Sequence, residues 1–505
     1  MSMGVLNQAI IPIYCFFLII SIFGIGLFFN NIFSIYKIEL DLKNLIFIQG
    51  LFFSGIIFIF INFFTPLTDI LSLLVILIGS IIYSFYFFTI KQKKKEIKFI
   101  FLIIVFSFIL IYYSGVSDDF DYHYKIIKNY KNNSLFDILH QRRTSYNSYW
   151  LFITSLFSIN FFTSTLFALT SIFFAITIYD FFKLTRRSIK KNEYYVSTVS
   201  FFLLIFFLGS FSKIKDFGTD IPGVILGAYM YIIVINHLFE KNNKKKNEIF
   251  LLILFLFQFS FIIKITNGLL IILILLIIYN LNLKKINYVN VFFTLLIPIP
   301  WFYQNFIISN CLIWPISITC FENIDHAKSE AYLVEAFAKG DLNTSIDINN
   351  YSWIKIWLAN HFNKLVETYI IYILLLIIPI IYCFSKKDFI FIKLINHLKI
   401  FLLNKNYLIL LILILITNII WFIYIPAYRF GFNYNLYLLI VVILPFWLFI
   451  IKSNHSFITQ YSKYLLILIS LYFIFENLNK INWYKERYIQ WPPIIDGELI
   501  NRKNF

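Results

Sequence analysis

Three aspartates, Asp118, Asp119 and Asp121, stand with Tyr122 and His123 in the stretch SGVSDDFDYHYK, directly after an apolar run. Beside no other hydrophobic segment of the chain are ionisable side chains so dense, so chemistry is sought here first. A carboxylate within hydrogen-bond reach of a hydroxyl can take its proton. The same acids ahead of a helix would instead cap its first turn. The basic side chains that could complement them are Arg142 and Arg143 in the following polar stretch, Lys264 between two apolar runs, and Arg429 in PAYRFGF.

Composition fixes the elements that must position these groups. Hydrophobic residues make up 60% of the 505, aromatics 21%, and the mean hydropathy is +0.79. No soluble fold of this length keeps so much apolar surface from water. The apolar runs have the length a helix needs to cross about 30 Å of hydrocarbon, and the alternation of a membrane barrel is absent. The expected fold class is therefore all-α, a polytopic transmembrane helical protein of about 14 spans: 9–29, 45–64, 67–89, 99–113, 162–182, 194–212, 221–239, 249–263, 267–281, 288–304, 366–384, 407–425, 434–451 and 464–476. The pair 249–263 and 267–281 reads as a hairpin rather than one helix broken at Asn267 and Gly268. The first span lacks a basic leader and a small-residue cleavage site, so it is expected to remain in the protein.

Lysine and arginine orient the bundle. The clusters at 91–98, 183–191, 241–246, 284–285 and 386–387 fall on one side, which the positive-inside rule makes cytoplasmic. That side holds 25 of the 43 basic residues and 8 of the 26 acids, so the formal excess of +17 lies there. Short lysine runs beside membrane helices reflect topology and attraction to anionic lipid, and nucleic acid is not an expected partner. Two sizeable outer loops remain, 114–160 and 305–365, with a short outer tail at 477–505. The stretches 124–130 and 135–139 suit helices lying along the membrane surface. Cys311 and Cys320 share the second loop with eight residues between them, a closable spacing in an oxidising space, against the alternative of two free thiols. Cys15 and Cys383 read as small apolar residues within spans.

Several segments together carry a resemblance: SDDFDYHY at 117–124, RTSYNSYWLF at 143–152, DIPG at 220–223, IKIT at 263–266, PWFYQNFIISNCLIWP at 300–315 and PAYRFGF at 426–432. In order and content the chain resembles the GT-C superfamily of polytopic glycosyltransferases, especially a group of bacterial membrane proteins within it. The likeness covers roughly residues 99–452, so 1–98 reads as added N-terminal helices, 99–476 as the core and 477–505 as a tail. It implies transfer of a sugar from a polyprenyl-phosphate donor to a glycan or lipid acceptor, with inversion, in cell-envelope polysaccharide or lipid modification. Asp118 matches the position of the base that deprotonates the acceptor, with Asp119 second. Asp121, His123, Arg143, Asn147, Asp220, Lys264 and Arg429 are the implied substrate-binding residues, and Asp119, Asp121 and His123 the implied ligands of any divalent cation, Mg or Mn. Gln304 departs from the pattern, standing where a basic residue is expected.

Each of these positions has a plainer reading. Lys264, at the outer turn of a hairpin, either marks a site, because an unpaired ion near a membrane helix is costly, or snorkels to water. Arg429 either grips phosphate with its planar fork or stacks on Tyr428 or Phe430 at the interface. Asp220 either lines the site or caps a helix ahead of Pro222. Trp301, Trp353 and Trp357 read as an interfacial belt, with stacking on sugar rings as the alternative. His237, His397 and His455 read as interfacial.

Two other classes compete. A flippase or transporter of lipid-linked sugar would carry charges deep within spans and broken helices in paired halves. A surface polysaccharide polymerase or ligase would rely on a large, basic late loop, whereas in 305–365 the acids outnumber the lysines. The richness in Ile, Asn, Lys and Phe suggests an AT-rich bacterial genome, so the bilayer is expected to be the plasma (inner) membrane and the site to face the periplasm or exterior.

Overall fold

The computed structural model describes residues 3–33, 42–89, 91–113, 120–138, 148–210, 218–240, 246–280, 288–321, 338–339, 351–385 and 387–454, then 460, 463–464, 466–472, 475, 494–495 and 498–499. They are almost entirely helical, because in hydrocarbon a helix satisfies every backbone group within its own segment. A two-residue antiparallel pairing joins Ile494–Ile495 to Glu498–Leu499. The helices are α1 (Met3–Phe33), α2 (Lys43–Asn62), α3 (Asp69–Thr89), α4 (Lys93–Tyr113), α5 (Phe120–Asn132), α6 (Tyr149–Leu156), α7 (Ala168–Lys190), α8 (Tyr194–Gly209), α9 (Asp220–Phe239), α10 (Lys246–Ile263), α11 (Ile271–Asn280), α12 (Tyr288–Leu296) and α13 (Ile299–Ser309). After the second loop come α14 (Trp353–Trp357), α15 (Asn363–Ser385), α16 (Lys387–Leu402), α17 (Lys405–Tyr424) and α18 (Phe432–Ser453).

Among the described residues eight helices are long and apolar enough to cross a membrane, fewer than the 14 expected. For four of the six expected spans not among them the cause is physical. The segments Tyr194–Gly209, Asn247–Ile263 and Ile265–Tyr279 are apolar but short. Helix α4 opens with Lys93, Lys94, Lys95 and Lys98, so only its later part is apolar. The last expected span is described only in fragments.

Contacts at the helix termini sort the turns into two ends. At one, which we call the Asp180 end, Lys43 at the start of α2 meets Glu96 at the start of α4 (2.7 Å) and Asp180 near the end of α7. There too Tyr195 N–H donates to Glu240 (3.0 Å), Asn406 Nδ2 donates to Leu238 O (3.1 Å), and Lys405 Nζ lies 5.1 Å from the Tyr279 ring. At the other, the Asp220 end, Asp220 at the start of α9 meets Lys264 just after α10. Tyr279 and Lys264 thus lie at opposite ends, and α10 and α11 form a hairpin.

The apolar core is continuous from Ile11 to Leu466, and α1–α3 pack on the rest. Small residues make this possible: a side chain at Gly24 would run into the carbonyl of Gly79 in α3, and one at Gly26 into that of Ile46 in α2. Helix α9, surrounded by α7, α8, α10, α11 and α18, is the buried centre, which places its first residue in the middle of the Asp220 end. Helix α5 lies across that end and buries the stripe His123, Ile126, Ile127, Tyr130 and Lys131, the one-face spacing of an amphipathic helix. Its buried face packs on α6 and, through Leu67 N–H to Tyr130 O (2.9 Å), on the turn after α2.

Candidate functional site

Lys264 follows the last residue of α10 in an extended conformation and starts a short 3-10 turn, Ile265–Leu270. Its side chain is buried and donates to Asp220 Oδ1, so it does not snorkel. Asp220 is the first residue of α9, after Thr219, rather than its cap, and its carboxylate answers Lys264 while favouring the positive helix end. The Asp220 side chain remains 32% exposed. Arg429, on the 3-10 turn Tyr428–Gly431 ahead of α18, also acts on Asp220, as does His123. Phe430 serves both cations: Lys264 Nζ lies 4.6 Å from its centroid and Arg429 Cζ 5.5 Å. Arg429 stacks on the neighbouring Phe430 ring, as one of its two readings expected, and also acts on Asp220. Two cations thus converge on the Asp220 carboxylate.

The neighbouring motif residues hold this turn in place. Gly223 of DIPG leaves room for the Asn267 amide, which donates to Ser260 O (3.3 Å) and accepts from Asn433 Nδ2 (3.1 Å). Tyr437 OH donates to Asn433 Oδ1 (3.0 Å), and Tyr434 OH donates to Thr266 O. Ser148, which caps α6, donates to Ile263 O (2.8 Å) and ties the RTSYNSYWLF segment to the residue before Lys264. Such outer hydrogen bonds fix the geometry of a charged group as firmly as its direct partner does.

Asp118, Asp119, Arg142, Arg143 and Asn147 lie outside the described residues. Asp121 falls in the first turn of α5, whose backbone is described, and His123, two residues on, is buried towards Asp220. Among the described residues no three His, Cys, Asp or Glu side chains come together to hold a metal. Cys311 and Cys320 are disulfide-bonded, closing the turn after α13. Trp301, Trp353 and Trp357 form neither a lipid belt nor a sugar platform: all three are buried, Trp357 against Phe422 at 5.0 Å with its indole donating to Pro426 O. Gln304, in place of the expected cation, is buried and donates to Tyr130 OH (3.3 Å).

A family model described as a domain of unknown function (DUF8201) matches residues 9–436. The chain belongs to this family. No curated protein and no solved structure matches it. The family's span takes in α1–α3 and ends within α18, just past Arg429 and Asn433, so every described member of the ion cluster falls inside it.

Three described residues escaped the sequence. Asp180, 1% exposed within α7, accepts from the N–H groups of Lys43 (3.2 Å) and Asn44 (2.8 Å) and from Tyr229 OH (3.1 Å), capping α2 from a neighbouring helix. Lys131 is wholly buried and donates to Asp69 Oδ1 (3.1 Å), Ser72 Oγ (2.7 Å) and Ser158 O. His361 lies on a π-helical turn with its ring 6.0 Å from that of Tyr428. The signal for Asp180 was present, a lone acid in an apolar run; nothing in the sequence points to the 62-residue pairing of Lys131 with Asp69.

Proposed function

We propose that this protein is a membrane glycosyltransferase that moves a sugar from a polyprenyl-phosphate donor to a glycan or lipid acceptor at the outer face of a bacterial plasma membrane. The observation that carries the proposal is convergence. DIPG, IKIT and PAYRFGF, far apart in the chain, meet in one ion cluster, and His123 of the SDDFDYHY stretch acts on the same carboxylate. Two cations at one carboxylate, in a chain whose first loop is rich in acids, suit a reaction whose leaving group is a phosphate and whose nucleophile must lose a proton.

In this scheme the acceptor oxygen attacks the anomeric carbon from the face opposite the phosphate. The bond to the phosphate oxygen breaks, the configuration inverts, and the proton passes to Asp118. Lys264 and Arg429 take the charge that builds on the leaving phosphate, while Asp220 keeps the two cations in place. The described ion pair lies at helix ends rather than mid-span, which favours surface chemistry over a transport pathway.

The test is Asp118→Asn, which keeps size but removes the basic oxygen. Transfer from a polyprenyl-phosphate sugar should fall by at least about 10² with membrane insertion unchanged. Parental transfer by a correctly inserted variant would remove Asp118 from the mechanism and leave helix capping as its role.

A further inference from the structure

His361 sits on the π-helical turn Leu358–Phe362 between α14 and α15. Such turns shift the register of a helix and recur at functional sites. The imidazole stands 6.2 Å from the Trp357 ring and 6.0 Å from that of Tyr428, whose neighbour in the chain is Arg429. Both ring nitrogens are buried, and neither has a hydrogen-bond partner among the described residues. A polar group left so costs on the order of 1–3 kcal/mol, which a ligand atom with hydrogen-bonding capacity would recover.

The two charges that act on it directly are positive. Lys364, one turn on, holds its Nζ 5.6 Å from the Tyr428 ring, and Lys364 and Arg429 both act on the imidazole. Glu367 and Asp220 act on Tyr428, the ring between His361 and the ion cluster. We propose that His361 binds the donor's phosphate together with Lys264 and Arg429, and that phosphate binding brings a proton to its imidazole. This rests on the proposal that the site takes a lipid phosphate.

Burial first, then Lys364 and Arg429, hold the imidazole below its ordinary range, so it is neutral at pH 7 with the site empty. An incoming phosphate offsets both cations and accepts an N–H, and each effect favours the charged ring. Proton and anion must then bind cooperatively, each strengthening the other by the same factor.

The experiment is calorimetric binding to the full chain in nanodiscs, with two probes whose charge does not titrate in the range used: farnesyl methyl phosphate and inorganic sulfate. Wild-type protein should bind the diester more tightly at about pH 5.5 than at about pH 8, about tenfold for each unit by which the bound imidazole's pKa exceeds the free. Heats in buffers of different ionisation enthalpy should report proton uptake. His361→Gln should lose the pH dependence and the proton uptake. Diester binding without proton uptake, or with a pH dependence that survives His361→Gln, overturns the role of His361 and leaves the lipid-phosphate proposal standing. Sulfate binding with proton uptake but no diester binding sinks the lipid proposal and keeps His361 as an anion ligand. Binding of neither probe overturns both.

Discussion

Each end of the bundle buries a carboxylate against basic or polar partners, but they differ in what remains available. At the Asp180 end the carboxylate accepts from two backbone N–H groups and a tyrosine hydroxyl, and almost none of the residue is exposed. Glu96 beside it is equally occupied, by Lys43 on one oxygen and Tyr83 OH on the other (3.1 Å). At the Asp220 end a third of the Asp220 side chain is open, and both nitrogens of the nearby His361 lack described partners. A buried ion in a membrane helix is by default a functional candidate. The contrast refines that rule: a saturated ion holds helices together, and an ion with hydrogen-bonding capacity left over is placed to meet a ligand.

The largest effects that would test this contrast belong to the Asp220 end. Lys264→Met removes one of two cations from the site, and Arg429→Lys replaces a two-pronged grip by a point charge. Charge-assisted hydrogen bonds contribute about 1.5–3 kcal/mol each, so Lys264→Met should raise the KM for the lipid-linked donor about 10- to 100-fold, and Arg429→Lys somewhat less. Steady-state kinetics on inserted protein would check this. An unchanged KM in both variants would leave Lys264 and Arg429 with a structural role alone, holding the turn through Asp220 and Phe430, and dissolve the distinction between the ends.

Asp180→Asn should do the reverse. The amide keeps an acceptor for the start of α2 but loses the charge, so unfolding in nanodiscs should become easier by roughly 2 kcal/mol. Transfer per folded molecule should stay at the parental level. A variant with unchanged thermal stability and no transfer would move Asp180 from scaffold to site.

Helices were legible in the sequence because apolar runs of membrane length leave few alternatives, and the hairpin at Lys264 was legible because Asn267 and Gly268 interrupt one run. The cluster was half legible. Asp220, Lys264 and Arg429 were each visible as ions beside apolar runs, but their meeting depends on α9 lying between α10 and α18, which no local pattern encodes. The tryptophans misled because an aromatic near a helix end looks alike whether it faces lipid or Pro426. His361 went unnoticed because 305–365 shows no sustained helical period, although Trp353 and Trp357, four apart, mark the turn that carries it.

Lys131 probes the contrast at its finest, since it lies at the Asp220 end but is saturated like Asp180. Burial, opposed by Asp69, lowers its pKa from the usual 10.5 to about 8. Between those values the unfolded chain holds a proton that the folded chain has lost, so stability should rise as pH climbs through the window and be flat below about 8. Lys131→Met fills the same space without charge and leaves Asp69, 29% exposed, to hydrate, so the change in stability at neutral pH should be within about 1 kcal/mol. The variant should lose the alkaline slope and keep parental transfer per folded molecule. Melting curves in nanodiscs from neutral to alkaline pH would decide. A slope that persists in Lys131→Met must come from another group, and a loss of transfer would mean that saturation does not separate the scaffold from the site.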